Sequence, residues 1–133
     1  MMGADDVVVE AAVVADGWLT AQMSGDFPPN WVERQTTQWQ MEDDRDAMWQ
    51  LILLLCRRIT AQDNDTLELV GTGPLWELVH TWPDAALTLL EEEAPSNPRL
   101  RIALAVVMTD NRGATERIAA ILAANPPGPR PAG

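Results

Sequence analysis

The sequence predicts an all-α protein, a compact monomeric array of about six to eight short helices packed as hairpin-like pairs around one central apolar helix. Three observations carry this. From Ala47 onward, apolar residues recur three and four positions apart, the spacing of one helix face. Pro74, Pro83 and Pro98 stand where new segments begin, and a proline's missing N–H is harmless in a helix's first turn. Few residues separate one apolar segment from the next, as in helical hairpins, although no repeat period is visible.

Taken in order, Asp5 and Asp6 are expected to cap a first helix in which Val7, Ala11, Val14 and Trp18 share a face. Its run of valines also suits a strand, and Gly25 to Pro29 should end it. Asn30 is a candidate cap for a second helix over residues 31–41, where Trp31 and Trp39 lie about two turns apart and are expected to be buried. Glu42, Asp43, Asp44 and Asp46 lack the glycine turn and alternating oxygens of a calcium loop and read as an acidic helix start. Residues 47–59 are apolar on every side, which predicts the enclosed central helix with Leu53 and Leu54 in its core. Arg57 and Arg58 suit its negative end. Residues 61–65 are expected to be a loop.

The stretch from Leu67 to Val79 organises the rest. Gly71 is expected to end one helix in a left-handed conformation, Gly73 to cap the next and Pro74 to open it. Trp76, Val79 and His80 then share a face. Beyond Trp82-Pro83-Asp84, a further helix buries Ala86, Leu87, Leu90 and Ala94, with Glu91-Glu92-Glu93 solvated although acid opposes the dipole there. Asn97 as cap and Pro98 at the first helical position announce a segment in which Leu100, Leu104, Val107 and Met108 line one face. A break at Asp110 to Gly113 precedes a last helix carrying Ile118, Ile121 and Leu122. Residues 126–133 should be a disordered proline-rich tail beyond a single domain of residues 1–125.

Composition restricts function. A net charge of −11 argues against nonspecific binding to DNA, RNA or an anionic membrane and is compatible with a basic protein partner. Every cation is arginine. The single cysteine, Cys56, excludes an intramolecular disulfide and a cysteine-based zinc site, and its apolar neighbours predict a buried thiol. The acidic start lacks the features of a signal peptide, and apolar stretches fall well short of the roughly 20 residues of a membrane span. A cytoplasmic chain is expected.

Gly73-Pro74-Leu75, with Glu77 close by, resembles the hallmark of a family of small uncharacterised bacterial proteins marked by Gly-Pro-Leu-Glu before an apolar helix. A second segment of that pattern, ending in Asn-Pro-x-Phe-Arg, resembles Leu90 to Arg101. The likeness covers residues 47–110 and implies an all-α fold; it brings no activity with it. One departure is that Trp76 stands where the pattern has Glu, and Glu77 follows one residue later, about 100° around a helix.

No phosphate loop, nucleophile elbow, paired-histidine metal motif or basic stripe is present, so neither a cofactor nor a metal is expected. His80, the only histidine, has Glu77 at i−3 and Asp84 at i+4, but Pro83 breaks the helical register between His80 and Asp84. Three readings follow. The first is a non-catalytic acidic protein that binds another protein, in the manner of an immunity protein or an antitoxin. The second is a small enzyme or ligand-binding bundle with a site at Trp76, Glu77 and His80. The third is a nucleic-acid mimic presenting a row of carboxylates. Charge and tryptophan content favour the first.

Overall fold

The computed structural model describes residues 4–25, 30–60 and 62–125. The side chains of Asp5, Asp6 and Asn30, expected as caps, and the expected tail over 126–133 lie outside the described residues. Within them the protein is all-α with no strand, as its spacing predicts. The helices fall into two compact units, one up to Ile59 and one from Thr60.

The first unit holds α1 (Ala4–Ser24), α2 (Asn30–Met41) and α3 (Arg45–Arg58). The valine-rich segment is helical, and Gly25, at φ +73°, ends it. Ala11, Val14, Ala15, Trp18 and Ala21 are its buried set. α1 packs chiefly against α3, while α2 touches both. Gly17 makes room for that contact, because a Cβ there would lie 2.5 Å from the Trp31 ring and 3.0 Å from Val32. The two tryptophans of α2 part company: Trp39 is buried, whereas Trp31 stays 40% exposed over Gly17.

A three-residue corner joins α2 to α3. Asp43 takes φ +57°, and the Asp44 N–H reaches back to Trp39 O at 2.8 Å, the closing bond of a Schellman-type helix end. Asp44 then caps α3 by accepting from Ala47 N at 3.1 Å. Asp44 and Asp46 are therefore a helix start, as expected, whereas Glu42 and Asp43 close α2. At the other end of α3, Arg58 donates to Asp16 of α1.

α3 corrects one detail. Met48, Leu51, Ile52, Leu55, Cys56 and Ile59 are buried, at helical spacing, while Leu53 and Leu54 are only half-buried, on the side shared with Arg57. An all-apolar run does not fix its own rotation. The faces of α1 and α2 select it.

The second unit holds α4 (Asn64–Thr72), α5 (Pro74–Thr81), α6 (Pro83–Glu93), a 3-10 turn (Ala94–Ser96), α7 (Pro98–Leu104) and α8 (Arg112–Ala124). The expected loop over 61–65 is shorter, because Asp63 caps α4 through Thr66 N at 3.2 Å and Thr66 Oγ1 at 2.7 Å. Gly73 ends α4 and starts α5 at once, with Pro74 at the first helical position. Its N–H donates to Leu69 O and its carbonyl accepts from Glu77 N, each at 3.0 Å.

Gly71 does something else than expected. It lies inside α4, buried, with negative φ. A Cβ there would fall 2.0 Å from the Ala103 carbonyl oxygen and 2.5 Å from Val106 Cγ2. Its role is close backbone approach to the end of α7, against which α4 chiefly packs.

Asn97 caps α7 by accepting from Leu100 N at 3.1 Å, ahead of Pro98, as its sequence signals. Arg101 of α7 answers the acid at the end of α6. Its Nη1 donates to the carbonyls of Ala94 at 2.6 Å and Pro95 at 3.3 Å, bringing a cation to that negative pole. Arg117 of α8 pairs with Glu91 and lies 3.8 Å from Asp84.

Candidate functional site

Leu75, Leu78 and Val79 of α5 are buried and fix the rotation of this eight-residue helix. Trp76 and His80, one turn apart, are thereby turned outward at the edge of the apolar face. Their rings stack, with centroids 4.7 Å apart and planes 9° from parallel. Trp76 is 38% exposed and its indole N–H donates to the Met108 carbonyl at 2.8 Å. That bond ties α5 to the segment between α7 and α8.

This segment departs from expectation. Val107 and Met108 continue the apolar spacing of α7, yet the helix stops at Leu104; Val107 is half-buried and Met108 is 81% exposed. Asn111 then caps α8 through Ala114 N at 3.0 Å. The connection is held locally. Thr109 Oγ1 accepts from Asn111 N at 3.1 Å, and Thr115 Oγ1 donates to the carbonyls of Thr109 at 3.2 Å and Asn111 at 3.1 Å.

Between the stacked rings and this connection lies an open cleft of about 400 Å³. Trp76, Val79, His80 and Pro83 form one side, and Met108, Thr109, Asp110 and Asn111 the other. Among the described residues, Asp110 is its one carboxylate, exposed, and no arginine lines it.

Of the three residues singled out by sequence, Trp76 and His80 meet in this cleft. Glu77 is half-buried and does not line it, in keeping with its place about 100° around the helix from Trp76. Asp84 belongs to α6 and faces Arg117, so the possible His80–Asp84 pair is not assembled. Gly71, Gly73, Pro74, Asn97 and Pro98 are structural in the ways described above. Among the described residues no three His, Cys, Asp or Glu side chains are grouped to hold a metal, and Cys56 is buried. Sequence reasoning missed residues 108–111. The break at Asp110 to Gly113 is legible, but the apolar spacing of Val107 and Met108 carries the expected helix face through 108 and hides the turn that begins before it.

A second, more open depression lies on α2 and its end, along Glu33, Arg34, Gln38 and Met41. No helix of the described residues is long and apolar enough to cross a membrane.

A search of curated proteins found no match to the chain, and a search of solved structures found none. The family of unknown function DUF6869 matches residues 20–125, from α1 to the end of α8. The chain belongs to that family.

Proposed function

We propose that this chain is a non-catalytic cytoplasmic protein that binds another, basic protein, in the manner of an immunity protein or antitoxin, through the cleft at Trp76 and His80. The observation carrying the reading is Trp76 itself. It is a large aromatic at the edge of a buried face, more than a third exposed, and held in one orientation by the Met108 carbonyl and the His80 ring. A rigid, partly exposed tryptophan is the residue type that most often carries an interface's energy. Met108, 81% exposed beside it, extends the apolar surface, and the net charge of −11 favours a basic partner.

A second reading, a small-molecule site, draws support from the cleft's volume, which is within the range of ligand pockets. Its openness to solvent and the absence of Glu77 from its lining favour the protein partner.

The test is affinity capture from extracts of the native host, with wild type and Trp76→Ala immobilised side by side. Capture of one basic partner by wild type, lost in a variant whose melting temperature is nearly unchanged, is the expected result. Equal capture by both would sink this reading.

A further inference from the structure

We propose that the Trp76–Asp110 cleft takes an arginine side chain of the partner, its guanidinium lying against the face of the Trp76 indole that the His80 ring leaves uncovered and paired with the Asp110 carboxylate. This deepens the protein-binding reading and rests on it. The inference follows from what the cleft offers. Among the described residues, its walls supply two aromatic rings on one side and a single carboxylate on the other, with no arginine to neutralise that charge. Asp110 has no ion-pair partner among the described residues.

The backbone that carries the carboxylate is also held in place. Thr109 and Asn111 on either side of it are locked by hydrogen bonds to each other, to Ala114 N and to Thr115 Oγ1. Trp76 is fixed by its bond to Met108 O, two residues before Asp110. Ring platform and the backbone bearing the acid thus belong to one frame, which lowers the ordering cost of binding. A planar guanidinium suits this frame better than an ammonium. It stacks on aromatic faces and forks its N–H donors toward a carboxylate at the same time. The acidic balance of the whole chain adds attraction for a cationic segment during encounter.

The probe is a fluorescein-labelled peptide of alternating arginine and glycine, titrated with the full chain and read by anisotropy. Two control peptides replace arginine by citrulline, which keeps the shape without the charge, and by lysine. The arginine peptide should bind, the lysine peptide more weakly and the citrulline peptide not measurably. Asp110→Asn and Trp76→Phe should fold as wild type. Asp110→Asn should weaken arginine-peptide binding by about three- to fivefold, the scale of an exposed ion pair. Trp76→Ala should weaken it by a similar factor, as expected for an exposed cation–π contact, and Trp76→Phe should restore part of the loss. Glu92→Gln, an exposed acid outside the cleft, should leave binding within experimental error.

Equal weakening by Asp110→Asn and Glu92→Gln would mean diffuse attraction and would overturn the proposal, as would undiminished binding of the citrulline peptide. If host-extract capture depends on Trp76 while the arginine peptide fails to bind, protein binding stands and the arginine site falls. If capture is insensitive to Trp76, the broader reading falls whatever the peptide does.

Discussion

The two units reach an all-helical state by different means. The first uses three helices of 21, 12 and 14 residues. The second divides its chain among five α-helices of 9, 8, 11, 7 and 13 residues. A long helix can be specified by a continuing apolar face, since each added turn contributes more buried area at no further nucleation cost. Helices of two turns cannot, being marginal by themselves in water. Their starts must be written into the chain, and in the second unit they are: Asp63, Asn97 and Asn111 cap with side chains, and Pro74, Pro83 and Pro98 open the first turn. The first unit should therefore be most sensitive in its core, and the second comparatively sensitive at its punctuation.

The largest expected effect sharpens the first half of that contrast. Leu55→Ala, fully buried on α3, should cost about 2–5 kcal/mol in denaturant unfolding. Leu54→Ala, one residue earlier but half-buried, should cost clearly less. Equal losses would mean that α3 is enclosed on every side after all.

Gly71→Ala comes next. The added methyl has nowhere to go but into the Ala103 carbonyl, which is backbone and cannot rotate away, so about 1–3 kcal/mol or more of overpacking is expected. A melting temperature equal to wild type would remove the close approach of α4 to α7.

Asn97→Ala should cost about 1 kcal/mol through loss of the cap on the seven-residue α7. Pro74→Ala should cost about 0.4–1 kcal/mol from a freer unfolded chain, and more for the buried ring atoms it removes. If neither change moves the unfolding midpoint, short helices in this protein do not depend on their start signals and the contrast fails.

Legibility in the sequence follows the same division. Asn97-Pro98, Pro74 and Pro83 act within a turn of themselves, so their meaning could be read without knowing the fold. What escaped reading depends on residues distant in sequence. The rotation of α3, which leaves Leu53 and Leu54 half-buried, is set by its neighbours, because its own run is apolar all round. Gly71 resembles a helix terminator until Ala103, 32 residues later, is placed against it. The site was legible in half. Trp76 and His80 share a helix face by simple spacing, whereas Met108 and Asp110 join them only through the packing of the second unit.

The Trp76 hydrogen bond has a consequence for how such a cleft can change over evolutionary time. Its acceptor is a main-chain carbonyl, that of Met108. Every amino acid carries that group, so substitution at 108 leaves the anchor in place. The bonds that hold the turn likewise fall on Thr109, Asn111 and Thr115, leaving the side chains of Met108 and Asp110 without a part in them. Scaffold and contact surface are therefore carried by different atoms of the same short segment. Substitutions at positions 108 and 110 thus change what the cleft presents and leave the frame that presents it unchanged.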